Sequence, residues 1–130
     1  MSLTTIIDCL VVFAGGGLGA LSRYGVENMG IFDKDRYYYT VAINITGCLT
    51  IGILWALFHH WGLSRQWYLF ALTGFLGGYT TYSAFTLDAM ELVQIGRWWE
   101  AAFYIAVTII GGLGGCALGL FGMEKILKMF

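Results

Sequence analysis

The sequence contains no proline and few charges. Asp, Glu, Lys and Arg make up 12% of its 130 residues, against 58% hydrophobic. Soluble domains carry about 25% charged residues. The composition therefore excludes an ordinary soluble domain and predicts an integral membrane protein, a single domain at this length. The net charge of −1 leaves no basic footprint for nucleic acid. Cysteine is scarce too. Cys9, Cys48 and Cys116 fall in apolar segments, are odd in number and fit no zinc spacing, so they read as small buried hydrophobes. The first basic residue is Arg23; without a positive n-region no cleaved signal peptide is expected. A nucleophile–base set and a phosphate loop are also missing. Gly15-Gly16-Gly17-Leu18-Gly19 lies in an apolar run with no strand before it, which is the wrong context for a nucleotide fingerprint. An enzyme is not expected.

Glycine is abundant instead, with 19 residues where about 7% is usual. In apolar segments that density lets helix backbones approach closely. Four such segments, about 3–24, 37–58, 66–94 and 99–124, predict an all-α protein of four transmembrane helices in one domain, 1–130. Gly15 and Gly19 form a small-xxx-small face on the first, and Gly111, Gly115 and Gly119 another on the last. Tyr37 to Tyr39, Trp67 with Tyr68, and Trp98 with Trp99 mark the aromatic belts. Glu27 to Arg36, with Asp33 and Lys34, reads as a loop.

The third segment carries the sequence least suited to a plain helix: Gly74-Phe75-Leu76-Gly77-Gly78-Tyr79-Thr80-Thr81-Tyr82-Ser83-Ala84-Phe85-Thr86. Its glycines, threonines and serine favour non-helical backbone or compete for its hydrogen bonds. A helix broken at mid-membrane is expected. Such a break survives only when buried in protein or lining a wet cavity, and broken helices are where ions are often handled. Tyr82 and Phe85, three apart, share a face. A Gly/Ser/Thr packing seam would use the same residues.

Among polar residues inside the spans, Asn44 stands out. Its carboxamide has donors for an anion, and it could equally bond a neighbouring helix. Thr40 lies one turn earlier on the same face. Arg23 either draws anions into a vestibule or snorkels to headgroups beside Glu27. Tyr104 and Thr108 share a face of the fourth segment. Asp8, Asp88, Glu91, His59 and His60 lie near segment ends and are expected to face water or headgroups. Four spans put both termini on one side with Arg65, Lys125 and Lys128. The other side holds Lys34, Arg36 and Arg97, and Arg23 if it lies that far out: three against three or four. Orientation follows the Lys/Arg bias, so insertion both ways up is expected. Two opposed copies could then pair about an axis in the membrane plane.

Taken together, Ser22-Arg23-Tyr24 closing a Gly-rich span, Thr40 to Gly47 around Asn44, and the run from Gly74 to Phe85 resemble the Fluc (CrcB) family of fluoride channels. The resemblance covers nearly the whole chain. It implies a dual-topology antiparallel dimer in the cell inner membrane with two pores, each lined by both chains. It implies a central structural Na⁺ held by backbone carbonyls of Gly77 and Thr80. It places Asn44, Tyr82, Phe85, Ser83, Thr81, Thr40, Tyr104, Thr108 and Arg23 on the fluoride pathway. Asn44 would donate to the anion, and Tyr82 and Phe85 would offer positive ring edges. Tyr82 stands where the family usually has Phe, and Gly112 where a hydroxyl is common. A heterodimer with an unlike partner is the alternative to a homodimer. Two rival functions remain: a small proton-coupled exporter, which needs a carboxylate deep in a span, and a non-conducting membrane assembly subunit.

Overall fold

The structure, a computed structural model, describes residues 2–32 and 35–130; Asp33 and Lys34, read above as loop residues, lie outside the described residues. Among the described residues the chain is helical, with no strand. Helix α1 (Leu3–Glu27) starts behind Ser2, whose hydroxyl accepts from the Thr5 N–H and so satisfies one of the orphan donors of a first turn. Helix α2 (Arg36–Trp61) ends at Gly62, φ 59° and ψ 42°, whose N–H closes on the Phe58 carbonyl. That left-handed position suits a residue without a Cβ. Helix α3 (65–79) is composite. One α turn (Arg65–Tyr68) leads into a π-helical stretch (Leu69–Leu76) and a final α turn (Gly77–Tyr79). Thr80 and Thr81 are extended, with ψ of 157° and 110°. Helix α4 (Tyr82–Gln94) begins after them, and α5 (Trp98–Leu127) closes the chain.

Helices α1, α2 and α5 are each long and apolar enough to cross a membrane. Their large apolar side chains largely point outwards: Phe13 is 80% exposed and Leu113 70%. This is a multi-pass membrane protein whose outer surface suits hydrocarbon. Lipid gives helices no hydrophobic reason to associate, so contact depends on close packing.

Glycine supplies that packing in two seams. In the first, α1 lies parallel to α3, backbone on backbone. A Cβ on Gly15 would strike the Phe70 carbonyl, one on Gly19 the Phe75 carbonyl, and one on Gly78 the Gly16 carbonyl. In the second, α2 lies parallel to α5. Gly52 meets the Cys116 carbonyl, Gly119 the Leu49 carbonyl, and Gly111 the Ile45 side chain. Between the seams, Phe85, Ala89 and Leu92 of α4 pack with Ala101 and Tyr104 of α5.

Three expectations need correction. Asp88 does not face water: it is 3% exposed, because α4 turns it towards α2 and α5, where donors await it. Asp8 is also largely covered and pairs with Arg65 at 2.8 Å across the start of α3. Cys9 is exposed on the outer face of α1 rather than buried, whereas Cys48 and Cys116 are half-buried.

Candidate functional site

The extended residues after α3 leave backbone groups that helix geometry would have satisfied. Asn44 of α2 takes two of them. Its Oδ1 accepts from the Thr81 N–H at 2.8 Å, and its Nδ2 donates to the Thr81 carbonyl at 3.0 Å. In a continuous helix the Thr81 N–H would bond the carbonyl of Gly77, four residues back. Ala84 N–H, which would serve the carbonyl of Thr80, instead donates to Thr81 Oγ1 at 3.2 Å as the cap of α4. The carbonyls of Gly77 and Thr80 thus lose the i+4 donors that a regular helix would have aimed at them. The next carbonyl, that of Gly78, accepts from Arg23 Nε at 3.2 Å.

These groups border a groove of about 570 Å³ on the side of the molecule. Asn44, Gly77, Thr80, Thr81, Tyr82, Phe85 and Thr108 all line it, among apolar neighbours such as Leu72 and Leu76. The second N–H of Asn44 is not needed by Thr81. Tyr82 is 78% exposed at the lip, and Phe85, 8% exposed, forms the inner wall; their ring centroids are 5.7 Å apart. Thr108 turns its hydroxyl to the Tyr104 carbonyl at 2.7 Å.

Four candidates lie outside the groove lining. Ser83 is exposed on α4, 3.4 Å from Thr81 Oγ1. Arg23 is half-buried, joined to Gly78 and 3.6 Å from Glu27. Thr40 and Tyr104 are buried beyond Phe85 and share one partner, Asp88. Its Oδ2 accepts from Thr40 Oγ1 at 2.6 Å and from the Tyr104 hydroxyl at 3.2 Å. Its Oδ1 accepts from Arg36 Nε at 3.1 Å and Nη2 at 2.7 Å.

Asp88 and Arg36 are the residues that sequence reasoning missed. One signal was present: Asp88 is three residues from Phe85, on the same helix face. Beyond them opens a second cleft of about 480 Å³, bordered by Asp35, Arg36, Glu91 and Arg97. The charge of Arg97 is tied up locally. It lies over the Tyr37 ring, and its hydrogen bond to Glu100 raises its pKa above that of an ordinary guanidinium.

A lipid-facing bundle with a groove built on an interrupted helix, and polar groups leading inwards from it, defines a membrane protein of the channel or transporter class. The chain belongs to a particular family within it: residues 10–120 match the family described as CrcB-like protein, Camphor Resistance (CrcB). Among its relatives, a "Fluoride-specific ion channel FluC" of Desulfotalea psychrophila is 34% identical over 94% of this chain and 96% of its own length. One of Rhodopseudomonas palustris is 40% identical over 85% and 92%, and one of Methylobacterium nodulans 37% over 88% and 94%. The names of these relatives are those of ion channels and not of enzymes.

Proposed function

We propose that this protein is a passive fluoride-selective channel of the cell inner membrane, formed by two antiparallel copies whose grooves become pores at their interface. The observation that carries the reading is the groove itself. An interrupted helix whose carbonyls have lost their donors, a half-used carboxamide and two aromatic rings converge there, in a chain whose relatives bear the name of fluoride channels. In this reading 65–94 makes the fourth crossing, as two half-helices meeting at Thr80 and Thr81 near the midplane, where half-helix ends handle ions in other membrane proteins.

A structural Na⁺ fits the residues present. Gly77 and Thr80 offer carbonyl oxygens relieved of their usual donors, and hard oxygen ligands suit an alkali cation. Gly77 has open space where a Cβ would stand, so a second copy can bring the same carbonyls close. When bound, the cation would neutralise those carbonyls and hold the two chains together.

The chain's own residues do the rest. Fluoride sheds water only against closely placed donors, and in this reading the spare N–H of Asn44 and the hydroxyl of Thr81, both bordering the groove, supply the first of them. Tyr82 and Phe85 would offer positive ring edges to the anion. Several weak sites in series favour conduction over trapping. An inside-negative potential drives export with about 2.3 kcal/mol per elementary charge per 100 mV, so no ATP or proton coupling is needed.

Purified protein in fluoride-loaded liposomes, read with an ion-selective electrode, tests this. Fast electrogenic release indifferent to a pH gradient is expected. Release that requires a gradient would mean a proton-coupled exporter. No release from the chain alone would favour an assembly subunit or a pair with an unlike partner.

A further inference from the structure

Two thiols share the wall of the groove. Cys48 of α2 and Cys116 of α5 both border it, both are half-buried and both are free. The second glycine seam fixes the register of their helices. A Cβ on Gly112 would lie 3.4 Å from Cys48 Sγ, and one on Gly52 would strike the Cys116 carbonyl. Gly112 is one turn before Cys116, and Gly52 one turn after Cys48. Residues four apart lie one above the other on a helix face, with about 5–6 Å between Cβ atoms. Cys48 Sγ therefore lies against the face of α5 from which Cys116 projects. A helical Cα–Cβ bond tilts towards the N-terminus, so Cys116 leans back towards Gly112 and the sulfur of Cys48.

Charge and ligand number decide what such a pair holds. A lone thiolate among apolar neighbours is poorly solvated, so a bound cation has to replace both protons and leave no net charge. Thiolate sulfur is soft and selects soft metals. Zinc takes four ligands, and among the described residues no group of three or more His, Cys, Asp or Glu is placed to hold a metal. Cu(I) and Ag(I) accept two sulfurs but would leave a negative charge beside Leu72, Leu76 and Phe85, which line the same groove. Hg(II) prefers two sulfurs in a line and makes a neutral complex with two thiolates. Asn44 lies one turn before Cys48, and Thr108 two turns before Cys116, both on the groove side of their helices. An ion held by the two sulfurs would therefore lie in line with the polar groups of the groove.

We propose that Cys48 and Cys116 form a two-thiol site for a soft divalent cation, Hg(II), and that its occupation closes the groove. Mercuric chloride enters as a neutral molecule. Two S–H bonds break and two Hg–S bonds form, while two protons leave with the two chlorides; no electron is transferred. The site stands on the geometry of α2 and α5 alone, and its effect on conduction rests on the channel reading. It makes the protein sensitive to thiophilic metal one helical turn from Asn44.

The test uses the full chain with Cys9→Ser, which removes the exposed third thiol, reconstituted in vesicles and titrated with mercuric chloride. X-ray absorption at the mercury edge counts the bound sulfurs, and an ion-selective electrode follows fluoride release from the same vesicles. One mercury per chain, bound by two sulfurs, with release lost in proportion to occupancy, is the expected result. The second thiol acts at a high effective concentration, so adding Cys48→Ser or Cys116→Ser should weaken retention against glutathione by on the order of a hundredfold and leave one sulfur on the metal. Where a serine variant does not fold, alanine at the same position takes its place. Mercury bound by a single sulfur in the Cys9→Ser protein, retention unchanged in either further variant, or mercury linking two chains overturns the site. Two-sulfur mercury in vesicles that still release fluoride at the untreated rate keeps the site and overturns the closure. Vesicles that release no fluoride before mercury is added remove the channel reading, and the sulfur count alone then judges the site.

Discussion

Asn44 and Thr81, 37 positions apart in the chain, are joined by a reciprocal pair of hydrogen bonds, the side chain of one to both backbone groups of the other. The pair bridges α2 and the interruption between α3 and α4 and replaces the bonds that a helix would have made there. Asn44→Ala should leave both backbone groups of Thr81 unpaired in an apolar groove. Each such group costs about 1–3 kcal/mol, so a marked drop in resistance to denaturation is expected together with loss of fluoride release. Asn44→Asp keeps the acceptor for the Thr81 N–H and loses the donor to its carbonyl, so its stability should fall between. Equal stability of Asn44→Ala and wild type would mean that the interruption does not depend on this pair.

Arg36 and Asp88 give a second prediction. Arg36→Gln strands a carboxylate that is almost wholly covered. Losing one partner of a buried pair costs about 3–5 kcal/mol. The guanidinium is half-exposed here, so a loss at or below the lower end is expected. Asp88→Asn added to Arg36→Gln should recover most of it, since a neutral amide needs no counter-charge. A double-mutant cycle on chemical denaturation measures the coupling, and additive losses would argue against the pair.

Two glycines separate folding from assembly. A side chain on Gly19 meets the Phe75 carbonyl, whereas nothing lies within 4 Å of one on Gly77. Gly19→Val should therefore break the α1–α3 seam and yield little folded protein. Gly77→Val should fold as a single chain yet fail to dimerise, because it crowds the carbonyls proposed to hold the cation and the second copy. Size-exclusion chromatography and cross-linking in membranes distinguish them. A normal dimer of Gly77→Val would remove the sodium assignment.

Orientation supplies the last prediction. With three basic residues against three or four at the two ends of the bundle, a few added charges should fix one orientation. Ser64→Lys with Gln66→Lys, in the short connection between α2 and α3, should bring most copies into one topology. Fluoride release per protein should then fall several-fold, and co-expression with a variant biased the other way should restore it. Cysteine-accessibility labelling reports the orientation directly. Full activity in a population fixed one way up would argue against antiparallel pairing.

The sequence and the structure divide unevenly over these residues. The unsuitability of the run from Gly74 to Phe85 for a plain helix is a local property, set by which residues tolerate or resist helical backbone, and it is legible one residue at a time. The same holds for the glycine faces on α1 and α5, because four-residue spacing places them on one side whatever they pack against. Asn44 could be singled out because a carboxamide in an apolar run needs a partner, but which of its two uses applied was open. Asp88 was misplaced, since distance from a segment end was used as a measure of exposure, and α4 begins afresh at Tyr82 and turns that residue inwards.

By itself, then, the amino-acid sequence determined the solvent of this protein and its family. Scarce charge, long apolar runs and a motif in the right order are properties of the string, and no folding is needed to count them. Only the tertiary structure decided who satisfies whom: Asn44 serves Thr81, Arg23 serves Gly78, and Asp88 takes the donors of Arg36, Thr40 and Tyr104. Buried polar groups must find partners within about 3 Å, and which groups come that close depends on how helices distant in sequence are packed together.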